Sequence, residues 1–163
     1  MREDPQPTPP VARPWLARDP GQLIGKGHPA GDFLEAYNWK VLEEGEGFLR
    51  IRAHVPAQVK NPRGQLFGGF TPTYVDLVAL FTVRAGPGRL EQRWRSWLAT
   101  INMRIDYFEQ IVGPEFVIVT QLVKKRGATN FVETRFFDPG DTLAVFALTT
   151  LREVELQRTL GDV

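Results

Sequence analysis

A chain of 163 residues, 42% of them apolar, can bury one sizeable core, and a single domain is the expectation. Twenty lysines and arginines against 19 acidic residues leave a formal net charge of +1, so no global field argues for nucleic acid. The absence of cysteine excludes thiol catalysis, disulfides and thiolate metal sites, and no apolar run approaches a membrane span.

Residues 1–22 hold six prolines and few large apolar side chains. They read as an extended N-terminal arm, mobile or laid on a neighbour's surface, with one domain over 23–163. The opening MREDPQPTPP has no apolar run behind its charges, so no signal peptide is expected, and a cytoplasmic location is. Gly25-Lys26-Gly27-His28 lacks the second glycine and the Lys-Ser/Thr ending of a phosphate loop, and dinucleotide spacing also fails, which leaves a glycine-rich loop. Asp32 to Tyr37 suits a short helix. Trp39 to Leu42 and Phe48 to Val55 read as strands around a turn over Glu43 to Gly47. In the second, Leu49, Ile51 and Ala53 alternate with Arg50, Arg52 and His54, the pattern of a half-buried strand.

The stretch Asn61 to Arg84, NPRGQLFGGFTPTYVDLVALFTVR, organises the rest. Asn61-Pro62 and Arg63-Gly64 are turn dipeptides, and Gly68-Gly69 presents backbone unshielded by side chains. Thr71 is placed to cap a helix and Pro72 fits its first turn. Tyr74, Val75, Leu77, Val78, Ala79, Leu80, Phe81 and Val83 make that helix apolar nearly all round, which predicts burial. Asp76 is its one residue charged at neutral pH, and a carboxylate there is costly unless paired.

Gly86-Pro87-Gly88 ends the helix. Arg89, Arg93 and Arg95, interleaved with Trp94 and Trp97, read as a solvated connection, because no basic excess elsewhere supports a nucleic-acid patch. Four strands follow, at about Trp97 to Tyr107, Glu115 to Lys125, Thr129 to Phe137 and Thr142 to Leu151, separated by Val112-Gly113-Pro114, Arg126-Gly127 and Asp138-Pro139-Gly140-Asp141. In the second of these, Phe116, Ile118 and Leu122 face one way and Val117, Val119 and Val123 the other. Both faces should then be covered, one by the helix and one by another subunit. Two strands, one long helix and a four-strand meander define an α+β domain, an antiparallel sheet wrapped around a helix in the hotdog arrangement.

The spacing Asn61-x-x-Gly64-x-x-Phe67-Gly68-Gly69, with Asp76 seven residues on, resembles the N-x-x-G-x-x-H-G-G…D signature of hotdog acyl-CoA thioesterases of the phenylacetyl-CoA thioesterase type. Leu98 to Tyr107, LATINMRIDY, resembles that family's following strand, and the similarity spans about Tyr37 to Leu151. Phe67 stands where the family has histidine, which removes a side-chain hydrogen bond and enlarges an apolar wall. The resemblance implies hydrolysis of an acyl-CoA ester to free acid and coenzyme A. It also implies a homodimer or homotetramer in which Asn61 and Gly68 of one chain face Asp76 of another. Non-catalytic binding of an acyl-CoA or acyl chain is the alternative, favoured by the lost histidine and opposed by the retained Asp76 and Asn61.

Residue chemistry runs parallel to that. The N–H groups of Gly68 and Gly69 lie where the helix begins, suited to a developing oxyanion. Asp76 can act as general base toward water or attack directly, and Asn61 can position either. The bland readings remain open: a dipole or hydrogen-bonding role for Asp76, and a tight turn for the glycines. Lys124, Lys125 and Arg126 are the best local cluster for coenzyme A phosphates, against a plain solvated hairpin, and Gly127 allows a pantetheine arm to pass close to backbone. His28 and His54 are far apart and no carboxylates have ligand spacing, so no metal and no cofactor is expected beyond coenzyme A within the substrate.

Overall fold

A computed structural model describes residues 13–86 and 96–155. Two helices, α1 (Pro29–Phe33) and α2 (Thr71–Val83), accompany six strands: β1 (Lys40–Gly45), β2 (Phe48–His54), β3 (Ser96–Tyr107), β4 (Glu115–Arg126), β5 (Thr129–Phe137) and β6 (Leu143–Glu155). The strands form one sheet in the order β1-β2-β4-β5-β6-β3, antiparallel at every pairing. Helix α2 lies against β2 through β6, so the sheet curls around it. This is the hotdog fold.

Side-chain size makes the embrace possible. Ala79 and Thr82 on the helix, and Ala53, Thr120, Thr134 and Ala147 on the strands, are all buried and small enough to let backbone approach backbone. The hydroxyls among them are not left bare: Thr82 Oγ1 donates to Val78 O at 2.7 Å and lies 3.0 Å from Thr120 Oγ1, itself 3.1 Å from Thr134 Oγ1. At the other end of the helix large rings fill the space. Tyr74 stacks on Trp39, with centroids 5.3 Å apart and planes 7° off parallel, and contacts Phe116 and Phe136 at 5.4 and 6.1 Å. Its hydroxyl donates to His54 O at 2.6 Å. Burial pushes the Tyr74 phenol well above its ordinary pKa, with the Glu35 carboxylate adding to the effect.

Several expectations change. Thr71 does not cap α2: it is the first helical residue, buried, and Phe70 occupies the cap without a side-chain bond. A 3-10 turn, Gly68–Phe70, leads straight into the helix, so no extended cap residue intervenes. The early helix lies at Pro29–Phe33 rather than 32–37, because His28 caps it and Pro29 opens it. Strand β1 runs on to Gly45, shrinking the turn to Glu46 and Gly47.

The meander is corrected too. β4, β5 and β6 are consecutive neighbours, but β3 pairs only with β6, at the far edge. Residues 108–114 cross the end of the sheet to reach β4, tied down by Leu66 N donating to Ile111 O at 3.0 Å and by a Gln65–Val112 bridge.

Residues 13–22, expected to belong to the arm, pack against the domain. A 3-10 turn at Pro14–Leu16 presses onto the loop that follows: Gly25 N donates to Trp15 O at 2.7 Å, and Gln22 bridges Lys40. Gly25 and Gly27 are the enabling residues, since a Cβ would sit 2.2 Å from Ala17 O at the first and 2.6 Å from Pro14 Cγ at the second. Residues 1–12 and the Arg89–Arg95 connection lie outside the described residues.

Finally, α2 is not covered all round. Pro72, Thr73, Asp76, Leu80 and Val83 form a half-buried stripe within a single 100° sector, beside β3. The outer face of β4 is likewise uncovered in one chain: Val117 and Val119 are half-buried, and Val123 protrudes at a bulge between Leu122 and Lys124.

Tyr74→Phe should therefore lower stability by about 1–2 kcal/mol, since ring packing is kept while a partly buried carbonyl loses its donor. Chemical denaturation of the two proteins measures the difference. An unchanged midpoint would mean that the hydroxyl does not hold the helix in place.

Candidate active site

A β-bulge builds one wall of the site. Register slips between Thr100 and Asn102, leaving Ile101 as the extra, exposed residue. Thr100 and Met103, three residues apart, consequently both line a groove of about 380 Å³. Helix α2 supplies Pro72, Thr73, Asp76, Leu77 and Leu80, and His28 and Ala30 close the third side. Thr100 Oγ1 donates a short hydrogen bond to Asp76 Oδ1. Asp76 is only half-buried, so its tolerance in an apolar helix has two causes: an open face and a hydroxyl donor.

The glycine pair lies one groove-length away, at the start of the helix. Neither Gly68 N nor Gly69 N donates to an acceptor among the described residues, as expected for the first turn of a helical run. Gly68 O accepts from Tyr107 Oη at 2.8 Å, which pins the loop to the end of β3. A Cβ on Gly69 would meet Phe67 Cε1 at 2.6 Å. Phe67 itself is 50% exposed and packs edge-on against Phe70, which in turn contacts Phe33.

The Asn61 side chain is hydrogen bonded within its own loop. Its Oδ1 accepts from Arg63 N at 2.9 Å and Gln65 N at 3.0 Å, and its Nδ2 donates to Gln65 Oε1 at 3.1 Å. Its side chain thus shapes the 61–65 loop that presents Phe67 and the glycines.

Lys124, Lys125, Arg126 and Gly127 are not near these groups within one chain. Gly47 N donates to Ala85 O and Gly47 O accepts from Leu122 N, which places the β4–β5 hairpin beyond the C-terminal end of α2, while the glycine pair is at its start. Thirteen helical residues, roughly 20 Å, lie between. Lys124 and Arg126 are exposed, and Lys125 pairs with Glu153 at 3.1 Å. Gly127, with φ of +58°, has open space around it.

Thr100 and His28 line the groove and Tyr107 ties down the glycine loop, and sequence reasoning passed over all three. Thr100 and Tyr107 fall in the LATINMRIDY stretch, whose likeness to a family strand was the available signal. His28 had none beyond its glycine-rich setting. His54 is remote from the groove, 3.0 Å from Glu115 Oε1 on the β2–β4 pairing. No group of three or more histidine, aspartate or glutamate side chains among the described residues could hold a metal, and no described helix is long and apolar enough to cross a membrane.

The architecture is shared with solved thioesterase structures. A thioesterase from Haemophilus influenzae superposes with a TM-score of 0.65 at 12% identity, covering 81% of this chain and 87% of that one. Zebrafish thioesterase superfamily member 2 gives 0.64 at 20% identity, covering 77% and 86%. A hypothetical thioesterase from Streptococcus pneumoniae, solved with coenzyme A, gives 0.61 at 15% identity, covering 74% and 89%. No protein-family model and no curated protein matches the sequence. At these identities the likeness defines the fold class, the hotdog fold of thioesterase-superfamily structures.

His28 also makes stability depend on pH. Burial lowers its pKa below the usual 6.5, outweighing the opposing effects of Asp32 and of a hydrogen bond to its own backbone. Between the two values the unfolded chain binds more protons than the folded one, so stability rises with pH. It is at full strength above 6.5 and declines as pH falls toward the folded value. Melting curves at successive pH values should show His28→Asn losing less stability than wild type over that range; parallel curves would exclude the linkage.

Proposed function

We propose that the chain hydrolyses an acyl-CoA thioester to free acid and coenzyme A, with Asp76 as the catalytic carboxylate. The observation that carries this reading is the Thr100–Asp76 hydrogen bond in a groove whose other walls are mostly apolar. Thr100 orients one carboxylate oxygen and leaves Oδ2 to accept a proton from water. Water adds to the thioester carbonyl carbon, its proton passes to Asp76, and the carbon–sulfur bond breaks. The leaving thiolate then takes the proton back, so the carboxylate is regenerated. The amides of Gly68 and Gly69 serve the oxyanion. Lys124, Lys125 and Arg126 serve the coenzyme A phosphates, with Gly127 giving the pantetheine arm room. The hotdog fold shared with thioesterase structures, one of them solved with coenzyme A, supports the same reading.

Asp76→Asn should keep the fold, because an amide oxygen still accepts from Thr100, and should reduce kcat/KM by about 10²–10⁴-fold. Thiol release from a panel of aliphatic and aromatic CoA esters measures it. Wild-type turnover in the variant would make Asp76 structural. No release from any ester, with tight binding of one, would make the protein a non-hydrolysing acyl-CoA binder.

The site is proposed to be shared in a two-fold homo-oligomer. Gly69 and Asp76 are roughly 10 Å apart along the helix, too far for one carbonyl to reach both. The half-buried stripe on α2 and the adjoining edge strand β3, with Trp97 and Ile101 exposed, provide a face where a second copy would bring its glycine loop to this Asp76. Mixing inactive Asn61→Ala and Asp76→Ala chains after reversible dissociation should restore about a quarter of wild-type activity, since half the dimers are hybrids with one intact site. No recovery, with hybrids seen by native mass spectrometry, would place each site within one chain.

A further inference from the structure

His28 is the one titratable side chain besides Asp76 that lines the groove. Its ring is held on two sides. Nδ1 accepts the N–H of Gly31 at 3.1 Å, and Trp15 meets the ring edge-on at 5.1 Å, with planes at 88°. A nitrogen that accepts a hydrogen bond carries no proton, so the proton of the neutral imidazole is on Nε2. Burial favours that neutral form. The groove is therefore lined by a carboxylate that accepts, a Thr100 hydroxyl already engaged in orienting it, and an imidazole whose hydrogen bonds among the described residues are to the backbone of residues 28 and 31. A ligand carbonyl placed for attack by the water that Asp76 activates needs a donor at its oxygen.

We propose that His28 is a catalytic residue that touches substrate, donating its Nε2–H to the carbonyl oxygen of the acyl group held over Asp76. This rests on the thioesterase reading and extends it: the chain takes its imidazole from the segment before β1, whereas the loop position ahead of the glycine pair is occupied by the exposed ring of Phe67. The proton stays on His28 throughout. Its hydrogen bond strengthens as negative charge develops on the oxygen and relaxes when the thiolate departs. Packing of Trp15 and the Gly31 bond fix the ring plane, so the donor is oriented before substrate arrives.

Two substitutions separate this role from simple helix capping. Asparagine at 28 places an oxygen where Nδ1 stands and keeps the cap on Gly31, but has nothing at Nε2. Glutamine reaches the Nε2 position with an N–H and gives up the cap. If His28 touches substrate, His28→Asn keeps the wild-type melting temperature at pH above 6.5 and loses about 10²-fold or more in kcat/KM, the usual cost of removing one oxyanion donor. His28→Gln melts lower yet retains much more activity than the asparagine variant. The reverse ranking, with His28→Asn at wild-type kcat/KM, overturns the proposal and leaves His28 a cap. Equal losses in both variants overturn it as well.

A second readout does not depend on turnover. With only two histidines in the chain, the ring nitrogens of His28 and His54 are separately observable by nitrogen-15 NMR. The probe is an acyl-CoA ketone analogue, aromatic or aliphatic, in which a methylene replaces the sulfur: the carbonyl is kept and hydrolysis is impossible. Saturation should move the His28 Nε2–H resonance and leave His54 in place. Binding without that shift overturns the proposal while sparing the thioesterase reading. Turnover of no ester together with binding of no analogue takes both down.

Discussion

One residue sets the position of the central helix. Tyr74 is wedged between Trp39 and the Phe116–Phe136 pair and hydrogen bonds to the last carbonyl of β2. Ring packing fixes the helix laterally, and the hydroxyl fixes its height, because only one axial position satisfies the bond. Everything at the site follows from that placement. Asp76 lies two residues on, and its carboxylate reaches Thr100 only while the helix keeps this height and this rotation. The small residues at the far end, Ala79 and Thr82 against Thr120 and Thr134, let the sheet close without lifting the helix away.

The sheet is curled, but it does not close. One sector of α2 remains half-covered, and the site occupies that sector. A carboxylate deeper in the helix surface would have to pair or neutralise, whereas at the margin it keeps one oxygen for a local donor and one for solvent or ligand. The bulge at Ile101 has the complementary effect on the sheet side. It advances the side-chain alternation of β3 by one residue, so Thr100 and Met103 share a face that a regular strand would split between them.

Alternation and turn chemistry made most elements legible. Strand β5 occupies the expected Thr129–Phe137, and the buried face of β2 is the one that period-two patterning indicates. Strand order was not legible. Short connections suggest neighbours, but the seven residues 108–114 span the end of a curled sheet, from its β3 edge to β4. The uncovered stripe of α2 was hidden for a related reason: Pro72, Leu80 and Val83 are as apolar as the buried faces, so composition cannot say which sector the sheet leaves open. Residues 13–22 looked like linker because proline dominates, yet one indole, Trp15, and two glycines suffice to seat them. At the site, Asp76 and the glycine pair announced themselves through spacing. Thr100 and His28 did not, since a hydroxyl on a strand and an imidazole before a short helix acquire meaning only from the tertiary contacts they meet.

The position of β3 has a consequence for the order in which the chain becomes itself. Asp76 and Thr100 both belong to the first 100 residues, yet their encounter depends on a strand that ends at residue 155. Thr100 is held in the sheet solely by β6, opposite Leu151, and β6 is held by β5, which is held by β4. A chain growing from its N-terminus can form the β1–β2 hairpin and the helix early, but β3 has no partner until the C-terminal strand arrives. Local contacts close cheaply, and pairings across 38 to 59 residues close late. The groove is thus a product of the whole domain, complete only when the last strand has been added to the sheet.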